Sequence, residues 1–192
     1  MTTRPTAWIR LGLRGAAIAI AAALGLGTVP ALAADIGQLG CPMERLTEPQ
    51  RTVFVQGVRE RAPLTDPRLD HFRRALDDCA RNFGWSSVLS ELARLYNLGA
   101  TGQAEARRDL AEVGIDVAPI ERALLADTEL VSAVHGSQYP EQQMNAFIGR
   151  LSPSVDELVS QQPPGSQASE NLGMFIMYRA IMESARIRFG QS

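Results

Sequence analysis

The feature that most constrains the fold is a stripe of apolar side chains within residues 69–83. Its members recur every three or four positions: Leu69, Phe72, Leu76, Cys79 and Phe83. This spacing places them on one face of an α-helix, and that face must pack against other elements to leave water. Asp66 and Pro67 precede the stripe, and both are favoured where a helix begins. The sequence therefore predicts an amphipathic helix that carries one of the two cysteines.

Signals for further helices begin at Thr47. Thr47 and Gln50 match the capping-box pattern, in which each residue satisfies a free backbone N–H of the other. A helix over residues 86–98 is predicted to end at Gly99, because glycine is the preferred residue just after a helix C-terminus. A separate alanine-rich helix is predicted from 102 to 113.

Helical patterns continue to the C-terminus. Asp116 is a candidate N-cap for a fifth helix, and apolar residues in 144–151 predict another. The final helix is predicted over 169–189, and apolar side chains cover most of its circumference between Leu172 and Met182. We therefore expect an all-α fold, a single domain of five to eight helices in an irregular bundle around the C-terminal helix.

The N-terminal segment has the pattern of a secretory signal peptide. Three arginines precede an uncharged run over 15–34, and the small residues Ala31 and Ala33 occupy positions −3 and −1 before the predicted cut. A basic start, an apolar middle and small residues before the cut are the features that the export machinery and its peptidase select. The sequence predicts cleavage between Ala33 and Ala34. The expected organisation is a signal peptide over 1–33, an extended lead-in over 34–46 and a helical domain over 47–192.

Two alternatives to cleavage keep the chain on a membrane. The uncharged run is about 20 residues long, which is enough for an uncleaved anchor. Pro30 and the glycines Gly25 and Gly27 interrupt its outer end, which favours cleavage. Acylation at Cys41 would need a leucine three places earlier, and Leu39 lies one place too late. We expect no stable membrane anchor after cleavage and a periplasmic or secreted location.

Cys41 and Cys79 are the two cysteines of the chain. An even pair in an oxidising compartment predicts one disulfide. Two buried free thiols, or a bridge between two chains, are the alternatives. The spacing is not that of a CxxC redox motif, so the predicted bridge is structural.

Charge limits the classes of partner. Cleavage would leave 159 residues with 16 arginines and 21 acidic residues, a net charge near −5. Binding to DNA or to anionic lipid depends on basic charge, so we expect no nucleic-acid partner. The chain also has no lysine, which excludes a Schiff-base lysine.

Few residues suggest chemistry. Asp70 beside His71 is the start of an acid–base pair, and Glu91 or Glu183 could supply a carboxylate. Both His71 and His135 lack a further ligand at metal-binding spacing, and a solvated helix face explains His71 equally well. Three methionines of the last helix could bind Cu(I) through thioether sulfur, although core packing is their usual role: Met174, Met177 and Met182.

The absence of a catalytic constellation favours a non-enzymatic function. We predict an exported bacterial envelope protein that acts as a binding, inhibitory or assembly-accessory module. Its partner would be an unidentified envelope protein, and no cofactor is expected. The alternatives are an acid–base hydrolase that uses Asp70 and His71, and a methionine-based Cu(I) carrier.

Overall fold

The computed structural model describes residues 34–126 and 167–192, together with Glu157 and Ser160. These residues form α-helices joined by short turns, and no strand lies among them, so the predicted all-α class is confirmed. The helices are α1 (Cys41–Glu44), α2 (Glu48–Arg59), α3 (Asp70–Phe83), α4 (Ser87–Glu112), α5 (Ala118–Ala126) and α6 (Ala168–Gly190). Short 3-10 turns occupy Ile36–Gly40 and Pro67–Leu69. The predicted signal peptide, His135 and the helix expected over 144–151 lie outside the described residues.

Side-chain caps fix where several helices begin. The backbone N–H of Thr47 donates to Gln50 Oε1 at 3.0 Å, which completes the predicted capping box of α2. Asp66 Oδ1 accepts from the Arg68 N–H at 2.9 Å and starts the turn that leads into α3. Asp116 Oδ1 accepts from the Ala118 N–H at 2.9 Å before α5. Local capping chemistry therefore explains these boundaries as predicted from the sequence.

The expected break at Gly99 is wrong, because α4 runs without interruption from Ser87 to Glu112. A Cβ atom on Gly99 would lie 2.8 Å from the Met182 nitrogen and 2.9 Å from the Tyr178 oxygen of α6. A Cβ atom on Gly102 would lie 2.5 Å from the Tyr178 ring. The two glycines are therefore present because α4 and α6 approach closely, and they do not end a helix.

The extended lead-in expected over 34–46 is also wrong, since this segment forms a 3-10 turn followed by α1. Asp35 Oδ1 caps the turn by accepting from the Gly37 N–H at 2.9 Å. Leu39 is buried, and its carbonyl oxygen accepts from the amide of the buried Asn97 at 2.8 Å. Pro42 lies in the first turn of α1, where its missing N–H costs nothing.

Three clusters of buried side chains stabilise the described part of the chain. The hairpin cluster joins α2 and α3 through Leu46, Phe54, Val58, Leu69, Phe72 and Ala75. The middle cluster comprises Leu39, Leu76, Leu92, Ala93, Ala185 and Phe189. The C-terminal cluster comprises Ala106, Leu110, Ile115, Val117, Ile120, Leu124, Ala168, Leu172 and Phe175. Helix α6 contributes to the second and third clusters.

Cys41 and Cys79 link the start of α1 to α3. Their sulfur atoms lie at disulfide distance, as predicted, and their Cα atoms are 6.2 Å apart. Cys79 is fully buried and Cys41 is 8% exposed. The bridge therefore holds the N-terminal segment against the middle of the fold.

No helix among the described residues combines the length and the apolar character that crossing a bilayer requires.

The Asp66 cap predicts a dependence of stability on acid. Hydrogen bonds from the Arg68 side chain, and then from the Arg68 N–H, lower the pKa of Asp66 to about 2. An unfolded Asp has a pKa of about 3.9, so this stabilisation is present above about pH 4 and is lost as the pH falls towards 2. We expect Asp66→Asn, which keeps a capping oxygen, to flatten the fall in thermal midpoint between these pH values. Asp116→Asn changes another carboxylate cap and is the matched control. Equal slopes of thermal midpoint against pH for the wild type and Asp66→Asn would contradict the expectation.

Candidate functional site

The Asp70 and His71 side chains have separate partners. His71 is exposed, and its Nδ1 accepts from Gln50 Nε2 at 3.1 Å. Asp70 forms an ion pair with Arg73 one turn along α3. Because Gln50 also completes the capping box of α2, the contact with His71 joins the start of α2 to the start of α3. His71 therefore makes a structural hydrogen bond, and the separate partners of the two side chains do not support a hydrolytic Asp70–His71 pair.

The other candidate carboxylates are also engaged by arginines. Glu91 pairs with Arg94, and Glu183 Oε1 accepts from Arg186 Nε at 3.2 Å. These i, i+3 pairs lie along single helices. Each carboxylate is therefore explained as helix stabilisation.

Glu121 is the centre of an ion-pair network that joins three helices. Its Oε1 accepts from Gln103 Nε2 at 3.1 Å and lies 3.3 Å from Arg179 Nη1, and its Oε2 accepts from Arg107 Nη2 at 2.5 Å. Arg107 also lies over the Phe175 ring, 5.6 Å from its centroid. The network joins α5 to α4 and α6 through one carboxylate whose two oxygens are both occupied. The network therefore holds the three helices together.

The methionines of α6 lie in different environments. Met182 lies against Gly99 of α4, whereas Met177 is 42% exposed. Met174 is partly buried and packs on the C-terminal cluster. No group of three His, Cys, Asp or Glu side chains in the described residues could hold a metal ion. The three methionines therefore have different neighbours, and the Cu(I)-carrier alternative stays a prediction.

The turn between α3 and α4 presents an exposed apolar surface, which we call the aromatic end: Phe83, Trp85 and Val88. The Phe83 and Trp85 rings stack with centroids 5.6 Å apart, and Trp85 meets the Phe189 ring edge-on at 5.4 Å. Trp85 Nε1 donates to Gln38 Oε1 at 3.1 Å. These contacts fix Trp85, while Phe83 is 44% exposed and Val88 is 55% exposed.

Phe83 is exposed, unlike Phe72, Leu76 and Cys79 of the same apolar stripe. Phe83 is the last residue of α3, and Gly84 then turns the chain through a left-handed conformation with φ of 66°. The C-terminal end of the apolar stripe therefore extends beyond the buried core. No helical pattern indicates where a core stops, so sequence periodicity could not have found this exposed ring.

A second candidate surface is a solvent-open cleft of about 70 Å³ between α2, α4 and α6, which we call the seam cleft. Its lining residues are Val58, Arg59, Arg61, Gly102, Glu105, Ala106, Asp109, Asn171, Met174 and Tyr178. Arg59 Nη2 lies 3.1 Å from Asp109 Oδ1, and Arg61 Nη2 lies 2.6 Å from Glu170 Oε1. Burial raises the pKa of the Tyr178 phenol, and the positive charge of Arg61 opposes this shift.

Arg61 holds an unusual backbone conformation at the edge of this cleft. Its φ is 53°, in the left-handed region, where a residue with a side chain is strained by about 1 kcal/mol or more relative to glycine. Its ion pair with Glu170 is more than half exposed at both ends, and exposed pairs contribute about 0–1 kcal/mol. The ion pair therefore does not clearly offset the strain. No sequence motif marked Arg59 or Arg61, because only the fold brings them beside Asp109 and Tyr178.

Comparison with protein-family models, with curated proteins and with solved structures found no match to this chain. Its function must therefore be inferred from its own residues and their arrangement.

Proposed function

We propose that this chain is a bacterial envelope protein that is exported, loses its signal peptide after Ala33 and binds a protein partner in the periplasm or outside the cell. It acts as an inhibitory or assembly-accessory module without chemistry of its own. The apolar leader supports export, and the disulfide pair joining α1 and α3 suits an oxidising compartment. The partners found for Asp70, His71, Glu91 and Glu183 favour binding over hydrolysis.

The observation that carries the proposal is the aromatic end. Single exposed apolar residues are ordinary on protein surfaces, but neighbouring ones on a fixed turn indicate an interaction surface. Phe83 and Val88 are both exposed within six residues, and the Trp85 ring stacks on Phe83 and meets Phe189 edge-on. Aromatic side chains that are already ordered lose little freedom on binding, so they make effective anchors in interfaces.

A double variant at the aromatic end and a single control variant at the far end of α4 test this proposal. Val88 is 55% exposed at the aromatic end, and Val113 is 46% exposed at the other end of the helix, about 37 Å away by helix rise. We expect Val88→Ser combined with Phe83→Ala to reduce partner recovery at least tenfold, because the variant removes apolar contact area. Val113→Ser should leave recovery unchanged. The measurement is affinity capture from envelope extract, with each recovered protein quantified by mass spectrometry.

A partner must be recovered in stoichiometric amount and must be lost with the aromatic-end variant alone. Equal recovery with all three proteins would contradict the assignment of this surface. Recovery of no stoichiometric partner by the wild type would contradict the binding module itself.

A further inference from the structure

The seam cleft lies between the hairpin cluster and the C-terminal cluster. Val58 on one wall belongs to the hairpin cluster, and Ala106 on the other belongs to the C-terminal cluster. The two walls are bridged here by the pairs Arg59–Asp109 and Arg61–Glu170. Three of these four side chains are more than half exposed, so exchanging a partner in either pair disrupts neither cluster. The cleft can therefore accept a charged ligand without unfolding its walls.

Arg61 occupies a left-handed backbone position, which glycine adopts without strain. The N–H of Arg61 donates to the Val58 oxygen at 3.0 Å, and the N–H of Ala62 donates to the Gly57 oxygen at 2.9 Å, which together form a helix-ending turn. Helix α4 ends in the same turn, with Gly114 at the left-handed position. Gly84 holds the left-handed position after α3. Among the described residues, Arg61 is the one residue with a side chain at such a position, and strain of this kind concentrates at binding sites.

The charges of the cleft indicate the chemistry of the ligand. Arg59 and Arg61 offer guanidinium donors, which suit a carboxylate. Glu105 and Asp109 line the same small space and both pair with Arg108, and Glu170 lies beside it. Three arginines therefore face three carboxylates, and this balance of charge does not favour a phosphate dianion. Opposite charges a few ångströms apart match a ligand that carries both an ammonium and a carboxylate. Val58, Ala106 and Met174 supply an apolar surface for a short side chain.

We propose that the seam cleft binds a small free α-amino acid. Its carboxylate is held by Arg61 and Arg59, and its ammonium group is held by Asp109 and Glu170. This site is separate from the aromatic end. The failure of either proposal therefore leaves the other unaffected. The volume of the cleft fits the charged head of the ligand, and its opening to solvent leaves room for a short side chain.

The ligand class is tested by titrating the purified, isotope-labelled protein with L-alanine, N-acetyl-L-alanine and L-alaninamide while following backbone amide shifts by NMR. We expect L-alanine to move the amides of Arg61, Gly102 and Asn171 in a saturable manner. The other two compounds each lack one charge and should bind at least about tenfold more weakly. Equal binding of N-acetyl-L-alanine would show a carboxylate-only site and overturn the proposed class. Absence of saturable shifts with L-alanine would overturn the site.

The role of Arg61 is tested with Arg61→Gly. Glycine suits the left-handed turn, so we expect the thermal midpoint to rise while affinity for L-alanine falls at least about tenfold. Arg81→Gln, which removes a 71% exposed arginine on α3, should leave affinity unchanged. Unchanged affinity in Arg61→Gly, or an equal loss in Arg81→Gln, would overturn the role of Arg61.

Discussion

Replacing both cysteines, as Cys41→Ala with Cys79→Ala, should lower the free energy of unfolding by about 4 kcal/mol. The bridge spans 38 residues, and closing a loop of this length removes much of the freedom of the unfolded chain. Domains of this size are typically stable by about 5–15 kcal/mol, so the loss is a large share of the total. The variant should still fold, because Leu39 remains buried and Asn97 still donates to its carbonyl oxygen.

Urea unfolding followed by circular dichroism measures this effect. The oxidised wild type should have the highest midpoint, and wild type in reductant should shift towards the double variant. The double variant itself should not respond to reductant, which makes it the control for non-specific effects. An equal midpoint for the oxidised wild type and the double variant would show that the bridge contributes nothing to stability.

Gly99→Ala should lower the free energy of unfolding by about 2 kcal/mol, although alanine is the better helix former. The new Cβ would meet backbone atoms of Met182 and Tyr178 at less than 3 Å, so α4 and α6 must separate. Overpacking typically costs about 1–3 kcal/mol, and a contact with backbone belongs at the upper end of that range. The helix preference of alanine offsets about 1 kcal/mol of the cost.

Gly173→Ala is the matched control for this prediction. Gly173 lies within α6, and a Cβ atom there would meet nothing within 4 Å. The same substitution should therefore raise stability by up to about 1 kcal/mol, through helix propensity alone. Both variants are measured by urea unfolding against the wild type. Two shifts of the same sign would contradict the close approach of α4 and α6 at Gly99.

Local sequence rules succeeded where a boundary depends on neighbouring residues. The capping box at Thr47 and the cap at Asp116 are each formed by side chains within three residues of the N–H group they satisfy. The buried stripe of α3 was likewise predictable, because Phe72, Leu76 and Cys79 follow helical spacing. Such features need no knowledge of distant contacts.

The errors arose where distant contacts decide the structure. Gly99 has the pattern of a helix end, and only the backbone of α6 beside it explains a glycine inside a helix. The sequence predicts an extended segment before Thr47, yet Leu39 is buried there and its carbonyl oxygen accepts from Asn97 of α4. The seam cleft was not predictable for the same reason, since Arg61 and Glu170 meet across 109 positions of sequence.

The proposed export, the cleavage after Ala33 and the closing of the Cys41–Cys79 bridge belong together, because the bridge suits the oxidising compartment that export reaches. Mass spectrometry of protein recovered from the cell envelope, alkylated before any reductant is added, tests all three parts together. We predict an N-terminus at Ala34 and two cysteines that resist alkylation until reduced. Recovery of the chain with residues 1–33 still attached and both thiols alkylated would contradict both the cleavage and the bridge.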